Sequence, residues 1–333
     1  MVLVEKAVRK APGGAVARLV PPTLSDDRVL ADPVRRGPGA GGGSSQDPPV
    51  DRPGARGAAR GHCCLASTLE VTVSPVTYAS YLKIEELLGL QQPKSSPEEH
   101  DELLFIVIHQ TYELWFKLLL HETGKVVGDF HRNDLFGAIS TLKRMRTMMK
   151  TLVGQLDIIE TMTPMSFASF RNRLDTASGF QSYQFKEVEF AFGYKRSNVA
   201  HAIPVTEPGR AKAERRLGEP SVVDAFYRFL VHRGAAVPTD LLEKDVRLPT
   251  QADERVQEEL FRLYQTQPEL VILFELMTDF DEGMQEWRYR HVKMVERTIG
   301  AKKGTGGSAG VDFLKQSLFL PLFPDLWAVR HRM

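Results

Sequence analysis

From Thr77 onward, apolar positions recur every three or four residues, the interval that gathers side chains on one face of an α-helix. The clearest case is FIVIHQTYELWFKLLLHE, Phe105 to Glu122. Just ahead of it, SSPEEHDELL carries a start signal in which Ser96 caps, Pro97 takes the first helical position and Glu99 completes a capping box. A helix from there to about His121 is expected. The same periodicity predicts helices over Asp134–Leu156, Ser166–Leu174, Ser182–Gly193, Ser221–Arg233, Gln251–Gln265 and Pro268–Ile299. Strand-like alternation is nearly absent, TLEVTV at 68–73 being the one short candidate. The expected fold is all-α, a single helical domain over residues 71–333 with no internal repeat.

Composition separates the N-terminal part from this domain. No Phe, Trp or Tyr precedes Tyr78, and RRGPGAGGGSSQDPPVDRPGARGAARG is rich in Gly, Pro and Arg. Such a segment cannot bury enough apolar surface to offset its ordering entropy, so residues 1–70 read as a disordered extension or an over-long start of the reading frame. A basic arm is disfavoured because Asp26, Asp27, Asp47 and Asp51 interrupt the arginines. Across the chain 43 Lys and Arg face 42 Asp and Glu, which leaves no charge footprint for nucleic acid or an acidic membrane. The two cysteines, Cys63 and Cys64, are adjacent and make neither a disulfide framework nor a spaced zinc site. The N-terminus lacks the apolar stretch of a signal peptide, and the longest strongly apolar run, Leu103–Ile108, is far short of the roughly 18 residues of a membrane span. A cytoplasmic protein without a nucleic-acid or membrane partner is expected.

Four segments carry candidate chemistry. On a helix through Phe105, the rings of Phe105, Tyr112 and Phe116 frame His109 on one face. In WRYRHVKMVERTIG, Trp287, His291, Val295 and Thr298 share a face that offers the imidazole no acidic neighbour. Each histidine fits a core position bonded to a carbonyl, and the second also fits an axial ligand to haem iron, which wants one nitrogen donor and an apolar wall. AKKGTGGSAGV, Ala301–Val311, is a glycine-rich loop that lets backbone approach a ligand or simply connects two helices; it carries the hydroxyl of Thr305. Phe167 and Arg171 lie at i, i+4 before a turn at Ser178 and Gly179, and a guanidinium fork suits a carboxylate.

Taken in order, YASYLKIEELL, HDELLFIVIHQTYELWFKLLLHE, MTPMSFASFRNRL, ASGFQSYQF, WRYRHVKMVERTIG, KGTGGSAG and LFPDLWAVR resemble the tryptophan 2,3-dioxygenases, from Tyr78 to the C-terminus. The resemblance implies a helical haem-dioxygenase fold, one haem b per subunit and a homotetramer. The implied reaction is kynurenine-pathway catabolism, in which O2 cleaves the indole C2–C3 bond of L-tryptophan to give N-formylkynurenine. By the same resemblance His291 is the axial ligand to the haem iron, and Trp287, Ser178 and Gly179 also contact the cofactor. His109 is the catalytic distal histidine that accepts from the indole N–H. The segment Phe105, Ile106, Val107, Ile108 and His109, with Phe167, walls the substrate pocket; Arg171 pairs with the carboxylate and Thr305 orients the ammonium end. Tyr78, Tyr81 and Leu82 are expected to close the pocket of a neighbouring subunit.

Three features depart from the family pattern without removing a named residue. Residues 1–77 extend beyond its core, Ala79 stands where glycine is common, and GSAG replaces the more frequent GSSG. They leave open two alternatives: the same chemistry on a ring-substituted tryptophan in secondary metabolism, and a non-enzymatic haem sensor or carrier.

Overall fold

Three long helices hold the core together. In the computed structural model the residues described are 75–204, 207–305 and 310–333, and every element among them is helical. In chain order these are α1 (Tyr78–Leu82), α2 (Ile84–Leu88), α3 (His100–His131), α4 (Leu135–Ile159), α5 (Pro164–Arg171), α6 (Tyr183–Ala191) and α7 (Ser197–His201). There follow α8 (Pro208–Leu217), α9 (Val222–His232), α10 (Thr239–Leu242), α11 (Glu254–Thr266), α12 (Pro268–Ile299), α13 (Val311–Lys315) and α14 (Pro324–Ala328). Single 3₁₀ turns occupy Gly179–Gln181 and Val329–Arg332. The expectations for residues 1–74, including the disordered extension, the TLEVTV strand and the cysteine pair, lie outside the described residues.

α4 packs between α3 and α12, while α9 and α6 lie on α3, and α5 and α13 on α12. Fully buried Leu119, Phe130, Leu142, Met145, Leu152, Phe274 and Met277 fill the contacts. Each such side chain contributes about 1.5–3 kcal/mol of burial, so the apolar faces of these helices decide the arrangement.

α3 and α4 form a helical hairpin whose turn is locked chemically. Asn133 takes the left-handed conformation (φ 56°) that ends α3, and the Asp134 carboxylate caps α4 by accepting from Gly137 N at 2.9 Å. The fully buried Asp129 accepts from Lys125 Nζ (2.7 Å) and Arg132 Nη2 (2.6 Å) at the same corner. At the other end of the chain, Asp281 on α12, also fully buried, clamps the C-terminal segment. Its Oδ2 accepts from Leu322 N (2.8 Å), Phe323 N (2.9 Å) and Trp327 Nε1 (2.9 Å).

The expected start and end of α3 are corrected. It begins at His100 because the Glu102 carboxylate accepts from Lys94 N and Ser95 N, and Ser95 Oγ takes the Glu99 N–H, so the SSPEE turn is organised ahead of the helix rather than capped at Ser96. It ends at His131, ten residues late, because Gly124 and Gly128 sit inside it while Val126 and Phe130 bury against the core. α5 begins earlier and ends earlier than expected, with Thr163 rather than Ser166 at its cap. α12 matches its expected bounds, and the caps Ser182 and Ser221 open α6 and α9 as expected. On length and composition α3 alone among the described helices could cross a membrane. It also buries Glu102, Glu122 and Asp129, and its packing against α4, α6 and α9 makes it a core helix of the bundle.

Candidate functional site

A cavity of about 310 Å³ opens between α3, α5, α6 and α12. One wall is the Phe105, His109, Tyr112, Phe116 face of α3; the opposite wall is the Trp287, His291, Val295, Thr298 face of α12. Phe167 and Arg171 reach it from α5, Ser178 and Gly179 from the following turn, and Thr305 from the glycine-rich loop. Nine of the expected site residues thus converge from segments far apart in sequence.

His109 is ordered by its own helix. Its Nδ1 lies 2.7 Å from the Phe105 carbonyl oxygen, which can only accept, so Nδ1 carries the proton and Nε2 keeps its lone pair. The ring sits 4.1 Å from that of Phe105, and Phe167 and Phe170 close the aromatic cluster at 5.4–5.7 Å. Its accessible surface faces the cavity, and burial holds its pKa below the ordinary histidine value, against the opposing pull of the Phe105 carbonyl and Glu113.

His291 has a different environment. Among the described residues no hydrogen-bond partner reaches it, and burial with the nearby His109 pushes its pKa down to about 4, so the imidazole is neutral. Its ring lies parallel to the Trp287 indole, centroids 5.0 Å apart and planes at 6°. Phe185 and Phe116 also pack on that indole, at 4.9 and 6.2 Å. The Trp287 Nε1 is buried without a partner. Tyr112 supports the α3 wall, its hydroxyl donating to the Leu152 carbonyl at 2.8 Å, and burial pushes its pKa up to about 12, which removes it as a proton carrier near neutrality.

The rim is polar. Arg171 Nη2 donates to the Lys303 carbonyl at 2.9 Å, and the Thr305 hydroxyl donates to the Ala177 carbonyl. These two bonds fasten the glycine-rich loop to α5 and to the Ser178 turn. Gly310, at φ 65°, closes the loop; a Cβ there would meet the Lys302 carbonyl oxygen at 2.7 Å. Residues 306–309, including most of GSAG, lie outside the described residues.

Three expected pocket residues do not line the cavity. Ile106 and Val107 point off the face because one helical turn separates Phe105 from His109, and Ile108 is buried in the core. Tyr78, Tyr81 and Leu82 on α1 are exposed by 77%, 74% and 43% and stand apart from this cavity. Conversely Lys186, Glu189, Arg196 and Arg288 line it without having been singled out from sequence. The first three sit in KEVEFAFGYKR, where the charges look like a solvated face; the one signal is the apolar Val188, Phe190, Ala191 and Phe192 set between them.

The cavity suits a flat cofactor beside a small aromatic ligand. Among the described residues no group of three His, Cys, Asp or Glu side chains could hold a metal ion unaided. A metal here would bring its own equatorial ligands, and His291 supplies a single neutral nitrogen against aromatic walls, which is the donor set of an axially ligated porphyrin.

Sequence comparison agrees in kind. A family profile described as "Tryptophan 2,3-dioxygenase" matches residues 62–222 and 255–333. The tryptophan 2,3-dioxygenase of Herpetosiphon aurantiacus is 50% identical over 255 residues, 77% of this chain and 97% of that protein. Those of Anaeromyxobacter sp. (strain K) and Kineococcus radiotolerans are 49% and 44% identical, over 77% of this chain and 95% and 90% of theirs.

Proposed function

The chain belongs to the tryptophan 2,3-dioxygenase family, and from that premise we propose how the cavity described above performs the family's reaction. The protein is an enzyme, a dioxygenase that cleaves tryptophan with O2 and so serves tryptophan catabolism. The relatives favour neither a ring-substituted substrate nor a non-enzymatic carrier.

Haem b, one per subunit, is the cofactor that the donor set supports: the neutral His291 imidazole would hold its iron, with Trp287, Ser178 and Gly179 beside it. Bound haem supplies the redox-active iron that ordinary side chains lack, and through it the activation of dioxygen. The chain's own groups bind and orient the substrate. His109, protonated at Nδ1 and free at Nε2, would accept the indole N–H and so orient the ring within the cavity. Phe105 and Phe167 flank the ring and exclude water. Arg171 pairs with the carboxylate and Thr305 with the ammonium end, so the L-amino acid backbone is held at the rim.

The observation that carries this reading is the pairing of two unlike imidazoles across one aromatic cavity, one with its tautomer fixed by a carbonyl and one with no hydrogen-bond partner among the described residues. Purified protein reconstituted with haem, reduced with dithionite and supplied with O2 and L-tryptophan should form N-formylkynurenine, followed by its absorbance. A haem-loaded, reduced protein that forms none would defeat it.

A homotetramer is part of the proposal, with Tyr78, Tyr81 and Leu82, exposed on the subunit, covering a neighbour's pocket. A cytoplasmic location is proposed with it.

A further inference from the structure

One carboxylate on the cavity wall is bonded only by a neutral group. Glu113 stands one helical turn beyond His109 on α3, on the face that lines the cavity. Helix side chains lean toward the N-terminus, so the Glu113 carboxylate leans toward His109 as the His109 ring leans toward Phe105. Its position is fixed. Gln184, at the start of α6, donates from its side-chain amide to Glu113 Oε2 at 2.8 Å and to the Glu113 carbonyl at 2.9 Å. The amide carries no charge, and among the described residues no cation bonds to Glu113.

The other charged groups around the cavity are engaged with one another or with carbonyls. On α6, Glu189 is bonded by Arg288 of α12 at 2.9 Å and by Arg196, and the Lys186 ammonium rests on the Phe180 and Ser182 carbonyls. On α5, Arg171 donates to the Lys303 carbonyl. His291 of α12 is neutral, and α4 presents only Leu156 and Ile159, its Asp157 and Glu160 being paired with Arg290. Glu113 is left as the charge that acts on His109. Burial lowers the pKa of that imidazole, and the Phe105 carbonyl and Glu113 oppose the effect. In a cavity walled by rings, such an interaction is little screened.

We infer that Glu113, held in place by Gln184, is a positioning residue that acts through His109: its charge strengthens Nε2 as the acceptor of the substrate's indole N–H. The site thereby selects indoles with a free N–H over those that carry carbon on that nitrogen. The inference rests on the reading of His109 given above. Burial alone makes an imidazole a weak acceptor, because it disfavours the positive charge that builds on the ring as a proton is drawn in. A carboxylate fixed one turn away offsets that weakness without touching the ligand.

The test uses haem-loaded ferric protein and two ligands, L-tryptophan and 1-methyl-L-tryptophan, the second of which keeps the amino acid and the ring but has no N–H. Dissociation constants for both are read from the Soret shift in wild type, Glu113→Gln, His109→Ala and the double variant. The pH dependence of kcat/KM for tryptophan is followed in the first two. Glu113→Gln removes the charge and nearly keeps the shape, and its side-chain carbonyl can still accept from Gln184. Far-UV circular dichroism checks folding. The wild-type preference for tryptophan should narrow by about three-fold or more in Glu113→Gln, as expected for a weakened hydrogen bond. The acid limb of kcat/KM should move to lower pH, because the imidazole stays unprotonated further down once the carboxylate is gone. In the His109→Ala background, Glu113→Gln should leave the preference unchanged. Equal weakening of both ligands with an unmoved acid limb, or no change in either, would overturn the inference and leave the dioxygenase reading standing. A wild type that binds the two ligands equally would overturn the acceptor role of His109 itself, and the inference with it.

Discussion

The imidazole of His291 lies flat against the indole of Trp287 one helical turn earlier, planes 6° apart and centroids at 5.0 Å. Among the described residues the ring makes no hydrogen bond, so the stack is what aims its nitrogen. His291→Ala should therefore abolish haem retention while leaving helical content intact, measured as haem per subunit by the pyridine haemochrome spectrum and by far-UV circular dichroism. Full haem occupancy in this variant would refute the axial assignment.

His109 gives a pH prediction. Its Nε2 accepts only when unprotonated, and burial holds its pKa below the ordinary value of about 6.5. The acceptor form therefore persists as pH falls through that ordinary value and disappears only below the lowered pKa. The kcat/KM for tryptophan should stay level from pH 7.5 to about 6.5 and decline at lower pH. A decline centred above pH 7 would contradict the environment described.

Arg171 should act on binding. Replacing it with Leu removes a charge-assisted pair worth about 1.5–3 kcal/mol, a ten- to hundred-fold rise in the KM for tryptophan at unchanged haem content. Tryptamine, which has no carboxylate, should be affected far less. Equal losses for both substrates would assign Arg171 a purely structural role through its bond to Lys303.

Asp281 tests the fold rather than the site. Asp281→Ala orphans two backbone amides and the Trp327 indole N–H in a fully buried position, and should lower stability by about 3 kcal/mol or more in urea unfolding. Because burial raises its pKa, the native state holds this proton more tightly than an unfolded chain does. That contribution to stability is lost as pH rises above the ordinary Asp value of about 3.9, and the variant should lack this loss.

The long amphipathic helices were legible because periodicity and caps agreed, α12 to the residue. The two histidine faces were legible for the same reason, since i, i+4 spacing is a property of the helix alone. The end of α3 lay beyond the reading, because Gly124 and Gly128, which weaken an isolated helix, are tolerated where Val126 and Phe130 are buried around them. Helices of four or five residues, such as α1, α7 and α13, are too short to show a period. Nothing in the sequence singles out the charges of α6, and only the surrounding chain makes them an interior wall.

Arg171 and Thr305, the groups proposed to grip the amino acid, are already bonded to the carbonyls of Lys303 and Ala177. Each keeps capacity to spare, the remaining guanidinium N–H groups on one and the hydroxyl lone pairs on the other, so a carboxylate and an ammonium can be received while the internal bonds persist. The backbone thus sets both side chains in position before any amino acid arrives, and binding need not order them.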